Sequence, residues 1–417
     1  MTTIQTKPEK VLNPLETIKE ISKLNEEPEW LKEKRLNSWK EYLSMSLPSR
    51  VEHLWRYSDP VDFELNERDI NFESVPCTFL INDEAKNNKV LLSELSSQST
   101  LKDEGFKNTF GISKLYKENP NRINSLNQAI WSGGYYLHVP KNVKLNEPII
   151  VKILKFNKDK YHGLRILVVL EEGAQLTLID EISSEMKMTG NLLSNVVMEV
   201  FLSKGAKLEY LNIQNHDKNA IHHFSQSVNL EEHAEFNNLI VALGAKISKA
   251  DLRAELNGYS SGITTHGIVL GDGIQKFDHH TALSHIAPHT RSSLDFRVAL
   301  KDKSRSAYTG NLKIAHEASK SDAHQENRNL LLSENARAES IPELEILTND
   351  VIRCSHGVTV GQVDKDQIYY LMSRGLEQKE AEKIIIEGFL EPTISKIPHE
   401  DLKQKIVEKI KFKLESI

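Results

Sequence analysis

The side chains in this sequence best suited to bind a metal are Cys354 and His356, two positions apart in VIRCSHGVTV. Thiolate and imidazole bind soft and borderline metals, and a thiolate can also accept sulfur as a persulfide. On a β-strand the two side chains share one face, so the imidazole could hold the thiol as a thiolate. Two ligands leave a site incomplete, since a structural zinc needs four. From these residues alone, a small buried cysteine beside a surface histidine is the preferred interpretation.

A second group of candidate ligands is rich in histidine. It holds 5 of the 16 histidines within 24 residues, namely His266, His279, His280, His285 and His289. His279 and His280 are adjacent and would point to opposite faces of a strand, so both cannot join one metal site without a bend. Histidines that form hydrogen bonds along strands or loops are therefore preferred over a metal site. The other cysteine, Cys77, lies in a region without a clear pattern and receives no role.

Composition and missing motifs disfavour several functional classes. The sequence lacks a GxxxxGK phosphate loop, a GxGxxG dinucleotide motif and an HExxH metalloprotease motif. A net charge of −6 provides no excess of positive charge for binding nucleic acid. No stretch approaches the ~20 apolar residues of a membrane span, and the first residues do not form a secretory signal. Because two cysteines cannot form a disulfide framework, we predict a cytoplasmic location.

Changes in the pattern of apolar and turn-forming residues along the sequence predict three regions. Residues 1–130 are helical at first and then mixed, residues 131–362 are short β-rich runs broken by turns, and residues 363–417 are helical. Within the β-rich region, three segments share a turn, an alanine and an alternating strand. The alanines fall at 174, 206 and 234, in steps of 32 and 28 residues, with irregular copies at Ala245 and Ala336. This recurrence favours a solenoid of stacked coils over a β-sandwich with coincidental Gly-Ala turns.

Three helices are predicted in the last region. Asp364 can cap the first, which ends at Gly375, and a second covers about 377–387. After Pro392 a third, His399–Ser416, repeats an apolar residue every four positions and is amphipathic. Such a helix either packs on its own chain or offers a docking surface.

Many segments of the sequence resemble the SufB/SufD family of iron–sulfur cluster assembly proteins. The resemblance covers the chain from about Asn124 to Pro392, and HLWRYSD near the start is a further short match. Cys354 to Gly357, followed by VTVG, is similar to the SufD form of its loop, and Leu371 stands where SufB proteins tend to have a further cysteine. The segments that carry the resemblance are SLNQAIWSGGYYLHVP, DHHTALSHIAPHTRSSLDFRVAL, SDAHQENRNLLLS, NRNLLLSENARAESIPELEI, DVIRCSHGVTVGQVD, IYYLMSRG and EGFLEP.

The resemblance implies a mainly β protein, with a right-handed parallel β-helix core between N-terminal and C-terminal helical subdomains. It implies a non-catalytic scaffold, joined to a SufB partner through the β-helices, with the ABC-type ATPase SufC on the C-terminal helices. His356 and Cys354 would face SufB, where iron or a nascent cluster is held transiently. ATP would enter only through SufC. Flavin binding is a property of the family's whole complex, and no residues here mark a flavin site.

Other interpretations of the sequence remain open. The chain could be a SufB-type scaffold that forms a homodimer and receives sulfur itself. A solitary β-helix could also be a carbohydrate-active enzyme, a class that needs paired carboxylates in a groove and is commonly secreted. A third alternative is a metalloenzyme that uses the histidines from His279 to His289.

Overall fold

The strand-forming half of the chain winds into two parallel β-sheets, and successive strands alternate between them. The computed structural model describes residues 14–65, 69–70, 75–118, 121–157, 160–184, 191–397 and 400–415. From residue 133 onward, each strand pairs in parallel with the strand two places along the chain. The architecture is therefore a β-solenoid, which confirms the predicted fold class and excludes a sandwich.

Sheet A is one wall of the solenoid and sheet B is the other. The strands of sheet A are β1 (Asp69–Ile70), β3 (Leu91–Glu94), β4 (Gly133–Val139), β6 (Lys160–Leu170), β8 (Leu193–Leu202), β10 (Ile221–Leu230), β12 (Ile247–Leu256), β14 (Lys276–His285), β16 (Arg305–Ile314) and β18 (Arg337–Ile346). The strands of sheet B are β2 (Cys77–Leu80), β5 (Ile149–Ile153), β7 (Gln175–Ile182), β9 (Lys207–Gln214), β11 (Glu235–Ala242), β13 (Gly262–Gly271), β15 (Arg291–Leu300), β17 (Ser321–Leu331) and β19 (Val351–Gln362).

Helices precede and follow this core. They are α1 (Pro14–Leu24), α2 (Glu29–Ser44), α3 (Asp83–Asn87), α4 (Gln98–Leu101), α5 (Glu104–Thr109), α6 (Lys114–Glu118), α7 (Arg122–Ile130), α8 (Lys365–Ser373), α9 (Gln378–Ile394) and α10 (Glu400–Glu415). Among the described residues, no helix is long and apolar enough to cross a membrane.

Each strand turns alternate side chains into the lumen of the solenoid. Val196, Phe224 and Ala250 share one register position on β8, β10 and β12, and all three are buried in the main core. Residues stacked on neighbouring coils are typically 28 to 32 positions apart. The inner face is therefore a set of apolar columns, each buried by the coils above and below.

Small residues mark the corners where the chain crosses to sheet B. Ala174, Ala206 and Ala234 are fully buried, and each immediately precedes a strand of that sheet. This confirms the predicted small residue at a recurring corner. Ala245 and Ala336 precede β12 and β18 of sheet A instead, so they belong to the opposite corner.

The two ends of the solenoid differ. At the first end β2 and β3 pair antiparallel with β5 and β4, and Ala85 of α3 joins the core there. At the last end β18 and β19 are the final strands of their sheets, and no described strand pairs beyond them. One end is therefore capped and the other is open.

The two helical units cover opposite outer faces. Trp39 and Ile130 are among the N-terminal residues that pack on a sheet A column containing Leu193 and Ile221. On sheet B, α9 and α10 pack through a cluster that includes Ile386 and Ile406. The predicted boundary at 131 falls between α7 and β4, but the first region also supplies β1, β2 and β3 to the sheets.

The C-terminal helices differ from the sequence prediction in one respect. Asp364 caps α8 by accepting from the Asp366 N–H, and Gly375 follows with φ of +95°, as predicted. However, α9 continues through Pro392 to Ile394 and does not end near residue 387. The predicted bounds of the third helix, His399 and Ser416, lie outside the described residues.

The segment HLWRYSD is attached to the core by a buried ionic group. The Lys249 ammonium lies 2.9 Å from Asp278 Oδ2, donates to the Leu54 carbonyl and sits 4.8 Å from the Trp55 ring centroid. Ser58 Oγ donates to Asp278 Oδ2 at 2.6 Å, and His280 Nε2 lies 2.8 Å from Asp278 Oδ1. One carboxylate thus ties the N-terminal unit to two neighbouring coils.

A second buried carboxyl makes stability depend on pH. Asp180 lies in the lumen and accepts hydrogen bonds from Tyr135 and Tyr210, and burial raises its pKa to about 7. In the unfolded chain this carboxyl ionises at its ordinary pKa near ~4, whereas in the folded protein it stays protonated to higher pH. The free energy of unfolding therefore falls as the pH rises from about 4 toward 7. We expect Asp180→Asn to raise the free energy of unfolding by roughly 2 kcal/mol more at pH 8 than at pH 5. Urea unfolding at both pH values measures this, and an effect independent of pH would contradict it.

Candidate functional site

The last coil turns Cys354 and His356 toward the lumen. Cys354 pairs in register with Ala323 and His356 with Gln325, and both partners on β17 are inner residues that are almost completely buried. The two-residue period of a strand gives the candidate ligands a common face. The register with β17 identifies that face as the inner one.

The inner face of this coil is uncovered. Val358 and Val360 are 39% and 46% exposed, whereas Asn327 and Asn329, which pair with them one coil earlier, are 1% and 4% exposed. The difference arises because β17 has a coil on each side and β19 has one. Strand β19 therefore presents valines to solvent in positions that every earlier coil buries.

Other large apolar side chains of the last two strands and the turn between them are also exposed. They are Ile346 at the end of β18, Leu347 just after it and Ile352 on β19, and each is more than a third exposed. The outer edges of β18 and β19 also carry backbone N–H and C=O groups that form no hydrogen bonds with a further described strand. Several exposed apolar side chains beside two unpaired strand edges are typical of a protein interface. We call residues 346–347 and 351–362 the open end.

Cys354 is not held as a thiolate by this chain alone. Its side chain is half-buried and packs against the main core, and burial raises the pKa of the thiol. The idea that His356 keeps it ionised is therefore not supported, because burial favours the neutral thiol. Binding a metal or persulfide would require deprotonation, which a metal ion itself promotes.

The ligand set at the open end is incomplete. His356 is exposed at the rim, beside a cysteine that is part of the core. In the described parts of the chain, no group of three or more His, Cys, Asp or Glu side chains is arranged to hold a metal ion. Any metal bound by Cys354 and His356 would draw further ligands from another molecule.

The histidine group does not form a site. His279 points inward and lies near Phe296, whereas His280 points outward and bonds Asp278, so the two adjacent rings occupy opposite faces as predicted. His285 is inside, 2.7 Å from Thr290 Oγ1 and 2.8 Å from Ser292 Oγ. Burial lowers the pKa of both His279 and His285 to about 4, which keeps them neutral. These contacts support the interpretation as structural hydrogen-bonding histidines.

The other two histidines of this group lie apart from one another. His289 sits in a turn with φ of +60°, beside Tyr259. His266 is on the outer face of sheet B, where it lines a small cavity under the C-terminal helices. The five residues therefore occupy the lumen, two outer faces and a turn.

Cys77 lies at the capped end, far along the solenoid from Cys354. It begins β2, and its backbone N–H donates to Glu94 Oε1 at 3.1 Å. Burial raises the pKa of its thiol, and Glu94 reinforces the effect. A neutral thiol packed against the core behaves as a small apolar side chain.

One serine motif was missed in the sequence analysis. Gly258 to Gly262 reads GYSSG, a match to GxSxG, and Ser260 has φ of +57°. In hydrolases this motif marks a turn from a strand into a helix. Here it turns from β12 into β13 of the solenoid, so the structural context of a nucleophile is missing.

The exposed valines were also missed by the sequence analysis. Alternating apolar residues in VTV predict a strand with one buried face, and β19 is such a strand. The signal that could have identified them is position, because terminal coils of a solenoid normally carry a polar cap. An apolar inner face on the last coil, followed directly by a helix, indicates that something else covers it.

Comparison with known proteins agrees with this architecture. The family model described as "SUF system FeS cluster assembly, SufBD core domain" matches residues 155–389. The chain is 28% identical to the iron–sulfur cluster assembly protein SufD of Bacillus subtilis, over 96% of this chain and 97% of that protein. It is 26% identical to SufB of the same organism, over 92% and 90%. An iron–sulfur cluster assembly SufBD family protein of Staphylococcus saprophyticus is 26% identical over 92% and 89%.

The matched region spans the solenoid from just before β6 to the middle of α9, and so includes β19 with Cys354 and His356. The match extends over more than half of the sequence and coincides with the coils described above. It gives no support to a carbohydrate-active enzyme. The chain belongs to the SufB/SufD family of iron–sulfur cluster assembly proteins.

Proposed function

We propose that this chain is a SufD-like, non-catalytic scaffold subunit that works with a SufB homologue and the ATPase SufC. The observation that carries the proposal is the open end, where Cys354 and His356 lie on an uncovered inner face between two unpaired strand edges. A soluble chain that exposes such a surface requires a partner to cover it.

A second β-solenoid has the right chemistry to be that partner. Strand edges bind other strands through backbone hydrogen bonds, and alternate side chains then add specificity. Val358 and Val360 would become buried as the valines and leucines of earlier coils are. The lumen would continue across the junction, with Cys354 and His356 enclosed at its centre.

In this arrangement the iron or forming cluster is cargo held between two proteins. His356 offers an imidazole nitrogen, and Cys354 offers sulfur once its proton is displaced. The partner supplies the remaining ligands. This chain contributes ligands and shape, and ATP enters the cycle only through SufC.

Helix α8 is the surface that we assign to SufC. None of its residues is buried. Three large side chains, Tyr369, Tyr370 and Met372, are 73%, 57% and 42% exposed. Tyrosine and methionine are enriched in protein interfaces. A helix that shows three of them to solvent, directly after β19, supports docking of a partner next to the open end.

The SufB-type homodimer is the alternative, because the same edges could pair with a second copy. Two features favour the SufD-like role: the Cys354 to Gly357 loop form and Leu371 in the position of a further SufB cysteine. Co-purification with SufC alone and then with both homologues decides between them. A complex containing two copies of this chain and no SufB homologue would favour the homodimer.

Charging the open end is expected to prevent assembly with the SufB homologue. The variant Val358→Glu/Val360→Glu places two carboxylates where partner coils would exclude water, which is strongly unfavourable. After anaerobic co-expression, we expect it to lose the SufB homologue and keep SufC. The measurement is the subunit composition of the purified complex.

A matched control comes from the side of the solenoid. Ile274 is 65% exposed in the turn before β14, so Ile274→Glu adds a charge at an exposed apolar side chain away from the open end. We expect this variant to assemble normally. Normal assembly of the double valine variant would show that the open end is not the interface.

A further inference from the structure

Gln325 is a buried carboxamide directly beneath His356 in the solenoid. Its side chain is 2% exposed, and neither Oε1 nor Nε2 has a hydrogen-bond partner within the described parts of the chain. Leaving a buried polar group unpaired costs about 1–3 kcal/mol. Buried polar groups in proteins are nearly always paired, so a carboxamide unpaired at both ends indicates a partner still to be acquired.

The register brings Gln325 within reach of His356. The two residues are paired across β17 and β19, on the same inner face. Neighbouring strands lie about 4.8 Å apart. The adjacent outer pairs of these two strands do touch, since His324 Nδ1 lies 2.9 Å from Ser355 Oγ and Arg353 donates to Asp322 at 2.8 Å. Side chains at paired positions of these two strands are therefore close enough to form hydrogen bonds, once Gln325 leaves its present rotamer.

A glycine on the opposite wall makes room for this side chain. A Cβ atom at position 310 would lie only 2.1 Å from Gln325 Oε1. The extended conformation of Gln325 across the lumen thus depends on Gly310. The neighbouring Asn327 is different, because it donates to the Phe296 carbonyl and accepts from Asn329 and Ser340. Gln325 is the inner amide of β17 that is left available at the register position of His356.

We propose that Gln325 is a positioning residue for His356, an inference that rests on the proposed function above. Its Oε1 accepts a hydrogen bond from one imidazole N–H when the SufB homologue covers the open end. The tautomer of His356 is then fixed, with the lone pair of its other ring nitrogen directed at the iron or cluster. Outer partners of this kind orient metal-binding histidines and raise their basicity.

The test uses the complete complex with the SufB homologue and SufC, purified anaerobically. Gln325→Met keeps the size of the side chain and removes the hydrogen bond, whereas Gln325→Glu keeps an acceptor oxygen. We expect the methionine variant to hold ferrous iron about 10- to 100-fold more weakly, and the glutamate variant to stay within a few-fold of the wild type. The readout is the chelator concentration that removes half of the iron.

Gln226→Met is the matched control, because Gln226 is an inner, buried glutamine with partners of its own, Asn238 and Met198. It should hold iron as the wild type does. Wild-type iron binding by Gln325→Met, together with loss in His356→Ala, would overturn this inference and leave the proposed function standing. Equal losses in Gln325→Met, Gln325→Glu and Gln226→Met would also overturn it, since the effect would then be one of packing. Normal iron binding by His356→Ala would instead refute the proposed function.

Discussion

Replacing His356 by alanine is expected to abolish cluster assembly while the complex itself still forms. The imidazole is exposed at the rim of the open end and contributes little to the core of its own chain. Its loss therefore removes a ligand without disturbing the coils. We expect iron and acid-labile sulfide per purified complex to fall at least tenfold, since one metal ligand is lost and second-sphere losses alone reach about 10- to 100-fold.

Two measurements check this result. One is the iron and sulfide content of the complex purified anaerobically, and the other is the activity of iron–sulfur enzymes in cells that depend on this chain. His233→Ala is the matched control, because that ring is likewise exposed, at 52%, but lies in an outer turn. If His356→Ala cells mature their iron–sulfur enzymes normally, the assignment of the open end as the assembly site is wrong.

The largest expected effect on stability comes from Asp278→Ala. The carboxylate is buried between the Lys249 ammonium and His280, and also accepts from Ser58. Removing one member of a buried ionic group leaves an uncompensated charge, which costs about 3–5 kcal/mol. We expect a loss of this size in the free energy of unfolding, measured by urea titration at pH 7.

The same carboxylate predicts a dependence on acid. Burial opposes ionisation of Asp278, but the Lys249 ammonium and the His280 hydrogen bond outweigh it and hold its pKa below the ordinary value. Its contribution is complete above the ordinary carboxyl range and is lost as the pH falls toward the lowered pKa. The wild type should therefore lose its advantage over Asp278→Ala in acid.

Glu232→Ala, in an exposed pair with Lys204, is the control and should change stability little. A small effect of Asp278→Ala at pH 7 would show that HLWRYSD does not depend on this group.

The course of the chain was largely predictable from the sequence. The spacing of Ala174, Ala206 and Ala234 reflects the length of one coil, and a coil length is fixed by two strands and two corners. Local rules also placed Asp364 and Gly375 at the ends of α8. Pro392 was misleading because α9 continues two residues beyond it to Ile394, although proline has no N–H to donate and usually interrupts a helix.

Contacts between distant residues were not predictable. Ser58 and Asp278 are 220 positions apart, and no pattern in either segment specifies the other. Strand periodicity placed Cys354 and His356 on one face, but only the register with β17 shows that this face is the lumen. The preference of Cys354 for the neutral thiol was unpredictable for the same reason. The burial that raises the pKa of Cys354 comes from packing on the core, which involves distant residues.

The capped first end has a consequence for how many molecules can associate. A solenoid with two open ends could add copies at both and grow into a fibre, because head-to-tail contacts do not close. In this chain the antiparallel strands β2 and β3 end the stack on one side. End-to-end growth of the solenoid is therefore possible from one end only. A partner solenoid that is capped in the same way would complete the stack, so the fold disfavours fibres built by end-to-end stacking.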